Sequence, residues 1–511
     1  MGLMRRHVQR PERTEKGGVI AVIMFALVFV GWVGEWPLEL DSVMYHGLWR
    51  SPFVVFGPMF VPIPGIRLFL WQILLIGLVP FCAGAAGTTR QHAREMDRAI
   101  LVSVACIAVT CLWGLLRGGS AYFAYFQVWR FLAALLITYV LMSALRSERD
   151  LVTLGKIVVV AALIRAILCI YFFWTPIYAR IHDTTNYVTN HDDSMLFVVA
   201  ILILTTWAVL KGGRTSWTIA APIMAVLLYA MVANNRRIAW VEMGWAMPLI
   251  YLLIGPGPLR SRINRWAMIA APVVLIYVVV GMGSDNPAFA PVHALMTTGS
   301  NQDSSSLTRK EEIRNLLRTL VDFGNPLFGT GWGVPYSKVE SIYSNYDPRW
   351  ILYLYTPHNS VLGLAAFAGL VGIIGIWGVV PVGAYLATRG YRGSTGVVPR
   401  CATMVALCAL AVYSAHCYGD IGLQSLPGAI ILGAALATAG KVAVWSEALP
   451  LPETATARAA GGKQAPELRP VFRNSGTTRH RFESPAPGAR PSDGNDVPAK
   501  PDRKPGRRLP H

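Results

Sequence analysis

The sequence predicts an all-α integral membrane protein of about twelve transmembrane helices. It also predicts one large periplasmic loop containing short helices and a disordered cytoplasmic C-terminal tail. Three observations lead there. Of 511 residues, 54% are hydrophobic and only 14% charged, too apolar for a soluble chain of this length. Apolar runs close to bilayer-crossing length recur along the chain. Basic residues fall on alternate loops.

The apolar runs cover roughly 18–36, 67–86, 99–116, 126–145, 157–175, 194–211, 216–234, 238–254, 266–283, 358–387, 401–418 and 426–445. The first reads as a signal anchor rather than a cleaved peptide, because no small-x-small site follows it before "WPLELD". Arg5, Arg6, Arg10, Arg13 and Lys16 precede it. Arg90, Arg94, Arg98, Arg146, Arg149, Lys156, Lys211, Arg214, Arg260, Arg262, Arg265, Arg389, Arg392 and Arg400 all fall on that same side if every run crosses. The positive-inside rule makes that side cytoplasmic, which puts both termini in the cytoplasm.

Three parts follow: a basic cytoplasmic N-terminus at 1–17, a polytopic membrane domain at 18–445 with its large periplasmic loop at 284–357, and a Pro/Gly/Arg-rich tail at 446–511. The tail has too few apolar residues to form a core and is expected to be dispensable for catalysis. The net charge of +18 calls for no nucleic acid, since topology and contact with membrane lipids account for most of it. The seven cysteines lie in apolar runs without CxxC spacing and read as small buried hydrophobes.

The outer segments carry the chemistry. In the long loop, "SSSLTRKEEIRNLLRTLVDFG" has a helix start at Ser306 or Thr308, a stop at Gly324 and an apolar stripe of Ile313, Leu316, Leu317 and Leu320. Arg309 falls on that stripe. A guanidinium on a burying face needs an anionic partner or must snorkel to water, and the two readings weigh equally on the residues alone. Lys310, Arg314 and Arg318 read as a solvated or headgroup-facing stripe.

"NPLFGTGWGVPY" follows, with Gly329, Gly331 and Gly333. Such glycines let backbone N–H groups approach an anion, although most such runs are simply turns. Arg236 and Arg237 sit where the seventh run emerges, against the positive-inside trend, with Glu242 beyond them as a neutralising partner. Arg165 lies mid-run and must face a cavity or a partner. His191, Asp192 and Asp193 read as a capped helix start rather than a metal site. Glu39 and Asp41 form a weak divalent-ion signal. Pro357, His358 and Asn359 open the tenth run. A lone histidine there is more often a cap or an interfacial residue than a catalyst, yet this one follows the glycine run on the arginine-bearing side. Gly369, Gly372, Gly375 and Gly378 below it predict a smooth ridge for close helix packing.

Three separated blocks resemble the O-antigen ligase and O-antigen polymerase superfamily of bacterial envelopes. They are Arg309 early in a helix, "NPLFGTGWG", and "HNSVLGLAAFAGLVG". Upstream, "RRIAW" matches the family's Ser-Arg-Gly-Ala-Trp-like junction best at Arg237 and departs at Arg236 and Ile238. "HDD" stands where the family often has Pro-Asn. The resemblance covers roughly 150–390 and implies a metal-independent, inverting glycosyltransferase with no cofactor. It would move a glycan from undecaprenyl diphosphate to an acceptor hydroxyl at the periplasmic face, the acceptor being lipid A core for a ligase. The alternative is a polymerase that extends lipid-linked repeats. His358 would then act on the acceptor hydroxyl, with Arg237 and Arg309 holding the diphosphate and Arg236, Arg165, Asn359, Gly331 and Gly333 assisting. Two other classes are a metal-dependent polyprenyl-phosphate glycosyltransferase using Glu39 and Asp41, and an anion transporter using Arg165.

Overall fold

The computed structural model describes residues 15–33, 70–85, 92–175, 188–284, 289, 292–293, 296, 304–337 and 354–448. Glu39, Asp41, the polar segment 338–353 and the tail from 449 onward lie outside the described residues. Among the described residues the regular structure is helical, apart from one isolated bridge between Asn325 and Gly329.

A helix stands at each of the twelve apolar runs. These are α1 (Glu15–Val33), α2 (Leu70–Ala85), α3 (Arg94–Leu116), α4 (Ala121–Ala144), α5 (Glu148–Trp174), α6 (His191–Lys211), α7 (Arg214–Asn234), α8 (Arg237–Leu253) and α9 (Pro258–Met282). After the loop helix α10 (Ser304–Arg318) come α11 (Ser360–Gly393), α12 (Val397–Gly419) and α13 (Leu426–Trp445). Among the described residues nine helices are long and apolar enough to cross a membrane. The apolar stretches of α1 and α2, Gly18–Val33 and Trp71–Cys82, are shorter, and α8 has 17 residues. The chain is a multi-pass membrane protein.

Local signals set the helix boundaries. Ser147 and Asp150 form a capping box on α5, Asn190 caps α6, and Ser425 caps α13 with Pro427 in its first turn. Helix α13 is the centre of the bundle, with 89% of its span buried, and it packs against α4, α11 and α12. Helix α9 is peripheral at 6%, and its Val273, Leu275 and Ile276 stand exposed. In water such a surface would be an aggregation hazard; in lipid it is ordinary.

Helix α11 departs from the smooth ridge expected of its glycines. Gly369 has φ +57° and non-helical backbone, and the turn after it is a π-helix over Val371–Ile376. A break inside a membrane strands backbone polar groups, which must find partners in the protein. The loop after α10 supplies them. Thr330 and Gly331 donate N–H groups to Ala366 O and Phe367 O, both at 2.9 Å. Leu370 and Val371 in turn donate to Pro326 O and Leu327 O at 2.9 and 3.0 Å. The glycine loop is thus a strap laid along the broken helix. Gly331 holds φ +90°, and a Cβ there would run into the backbone of Gly114 on α3. Its packing fixes where α11 begins, and so where His358 stands.

Candidate functional site

Chain alternation gathers the N-termini of α6, α8, α11 and α13 and the C-termini of α5, α7 and α12 at one end of the bundle. Hydrogen bonds tie these ends together. Thr189 N–H donates to Asn234 Oδ1 at 2.7 Å, Ser360 Oγ donates to Asp420 O at 3.1 Å, and Ser425 Oγ donates to Asp192 Oδ1 at 2.6 Å. The arginine-rich loops lie at the other end. Helix α10 lies over the first end and packs on α11.

The buried face of α10 is not the apolar stripe expected. Glu312 and Asn315 are buried there with Leu316, as is Thr319 in the π-helical turn that follows, whereas Leu317 is 46% exposed. The helix also starts at Ser304, one turn before Thr308. A polar inner face is tolerable because its groups are paired. Glu312 accepts from the Asn359 N–H through Oε1 at 3.2 Å, and its Oε2 lies 2.8 Å from His358 Nδ1. One carboxylate therefore fixes both the entry of α11 and the imidazole on it. With the carboxylate as acceptor, Nδ1 carries the proton and the Nε2 lone pair is left for other partners. The His358 side chain is 21% exposed, while Glu312 is 2% exposed. Burial pulls the imidazole pKa down. The hydrogen bond and charge of Glu312, with the charge of Asp420, outweigh it and raise the pKa above its ordinary 6.5.

Arg309 sits one turn before Glu312 on α10. Its Nη2 lies 3.8 Å from Asp420 Oδ2, and its side chain is 42% exposed. Arg236, the residue before α8, is buried and donates from Nε and Nη2 to Thr189 O at 3.3 and 3.1 Å. Burial lowers its pKa to about 10, with Asp420 opposing and Arg309 adding to the shift. Asp420 follows α12 and is the anionic hub. His191 Nδ1 lies 3.5 Å from its Oδ2. Burial alone would raise its pKa; the charges of His191, His416, His358 and Arg309 hold it below the carboxylate range. The result is a cationic mouth built on one carboxylate, with a histidine–glutamate pair beside it.

Four expectations change. Arg165 is buried and its Nε lies 2.7 Å from Asp193 Oδ1, so a protein carboxylate supplies the anionic partner sought in a ligand. Gly331 and Gly333 donate their N–H groups to Phe367 O and Gln127 Oε1, so these groups hold the strap and are not offered to an anion. Asn359 caps α11 by accepting from the Leu362 N–H at 3.0 Å, which commits its amide oxygen to the helix. Glu242 neutralises neither adjacent arginine as expected; its Oε1 pairs with His416 Nδ1 at 2.7 Å. Of the two adjacent arginines, Arg237 opens α8 half-buried, while the more deeply buried Arg236 faces Asp420 and Arg309.

Glu312, Asp420 and His416 escaped sequence reasoning. Two signals were present: Glu312 stands three residues after Arg309, on the same helix face, and Asp420 is the sole carboxylate at the outer mouth between the last two runs.

Fold and site together define a multi-pass helical membrane protein with a cationic mouth and a carboxylate-backed histidine at one end of its bundle. Residues 199–377 match the model of the family described as O-antigen ligase. That segment, about a third of the chain, is similar to the O-antigen ligase family. The matched segment contains Arg236, Arg309, Glu312 and His358; Arg165 and Asp420 lie outside it. No curated protein sequence matches the chain. Among the described residues no cluster of three or more His, Cys, Asp or Glu could hold a metal ion.

Proposed function

We propose that the protein transfers a glycan from undecaprenyl diphosphate to an acceptor hydroxyl on lipid A core, at the periplasmic face of the inner membrane, with inversion at the anomeric carbon. The observation that supports this most is the His358–Glu312 pair standing beside Arg309, Asp420 and Arg236. Basic loops at the far end of the bundle support the orientation, with both termini cytoplasmic.

The chemistry asks for two things. Negative charge grows on the departing diphosphate, and fixed guanidinium groups in a site shielded from water stabilise it. Arg309, half-exposed at the mouth, and Arg236, buried behind it, fill that role. Asp420 holds them in place without a ligand and prevents their mutual repulsion. The acceptor hydroxyl is a poor nucleophile, and a positioned base accelerates its attack by roughly 10²–10⁴-fold. His358 accepts the hydroxyl proton at Nε2, and Glu312 stabilises the resulting imidazolium through Nδ1–H. The new bond forms between the acceptor oxygen and the anomeric carbon as the bond from that carbon to the diphosphate breaks.

The test is the glycan profile of cells lacking the protein. Long chains left on the lipid carrier, with bare lipid A core, are the expected outcome. Single repeats attached to the core would replace the ligase reading with a polymerase.

A further inference from the structure

A cavity of about 870 Å³ lies between α5, α6, α7, α12 and α13, with Trp32 of α1 on one side. Its volume falls within the roughly 300–1,000 Å³ of ligand sites. It occupies the half of the bundle away from His358: its wall uses 151–160 of α5, 199–211 of α6 and 397–409 of α12, whereas the site lies at the opposite ends of these helices. Val158, Ile203, Trp207, Cys401, Ala402 and Ile431 make the wall almost wholly apolar. Water would find few partners there, so the natural filling is hydrocarbon.

Two positive charges are among the lining groups. Lys156 and Lys211 both line it and both are exposed. Lys211 Nζ stands 5.0 Å from the ring centroid of Trp207, which places the ammonium against the wall. An apolar slot lined by two exposed ammonium groups fits a molecule that is hydrocarbon at one end and anionic at the other. We propose that the cavity binds one acyl chain of an anionic glycerophospholipid, whose phosphate rests at Lys156 and Lys211. An isoprenoid donor tail fits the charge pattern less well, because its diphosphate would face the arginines at the other end of the bundle.

The experiment uses the full chain, purified in neutral detergent after exposure to equimolar phosphatidylglycerol and phosphatidylcholine vesicles, and counts retained lipid by native mass spectrometry. Retention of a single phosphatidylglycerol several-fold over phosphatidylcholine is expected. Lys156→Ala with Lys211→Ala should abolish that preference. Ala402→Phe should remove the retained lipid by filling the slot. Equal retention of both lipids, or an unchanged preference in the double lysine variant, would overturn the proposal. Displacement of phosphatidylglycerol by equimolar undecaprenyl phosphate would overturn it in favour of an isoprenoid site.

Discussion

His358 and His416 each sit against a buried glutamate at nearly the same distance, 2.8 Å to Glu312 and 2.7 Å to Glu242. Their surroundings differ. The His358 side chain is 21% exposed, at the mouth that holds Arg309. That of His416 is fully buried, and its other nitrogen lies 3.4 Å from Asp192. A histidine enclosed by two carboxylates has no face for a substrate. The comparison teaches that a histidine–carboxylate pair defines a base only where the second nitrogen can reach the reactant. In the proposed reaction His416 would hold the fold around Asp420, and His358 would act on the acceptor.

Removing each ring separates the two histidines. His358→Ala should lower glycan transfer by about 10²-fold or more. Near-normal transfer in a folded variant would mean that the open pair is as structural as the closed one.

Arg309→Ala and Arg236→Ala come next, each lowering transfer roughly 10²-fold, as loss of one charge donor at a developing anion does. Donor binding should weaken too, and lysine should rescue poorly for want of the planar fork. Full rescue by Arg309→Lys, read in the same transfer assay, would reduce the role to bulk charge.

Glu312→Gln tests the coupling. His358 must be neutral to accept a proton, so transfer should rise with pH through its pKa, which Glu312 helps hold above 6.5. Removing that charge lowers the pKa, so the rising limb of the pH–rate profile should move to lower pH. Peak transfer should fall about tenfold as the ring loses its orientation. A limb that stays in place would uncouple Glu312 from the base.

His416→Gln should move transfer least, within a fewfold, while destabilising the protein. It leaves Glu242 and Asp192 buried without their cationic partner, a loss of about 3–5 kcal/mol for a broken buried pair. A lowered thermal midpoint in lipid with near-normal transfer is the expected combination. The reverse would make His416 part of the chemistry.

Much of this architecture was legible in the sequence because hydropathy is a local property. Each of the twelve apolar runs became a helix, and Arg309 and His358 were visible as charges in apolar settings. What escaped were relations between distant segments. The glycines of α11 read as a smooth ridge, and only the strap of residues 325–331, whose carbonyls and N–H groups meet Gly369 and its neighbours, makes a break there sustainable. The inner face of α10 read as apolar because periodicity ranks Leu and Ile, yet Glu312 is buried there against a histidine from a helix it does not adjoin in sequence. Asp420 gathers Arg309 and His191 from two other segments, a convergence that no local pattern encodes.

The central claim is a division of labour: arginines hold the diphosphate, and His358 acts on the acceptor. It is tested most directly by titrating purified, folded His358→Ala with undecaprenyl-diphosphate-linked glycan and measuring donor affinity. An affinity within about threefold of the unmodified protein is expected, with transfer down by about 10²-fold on the same preparation. Loss of donor binding in His358→Ala would contradict it, because the histidine would then belong to the diphosphate pocket and not to the acceptor.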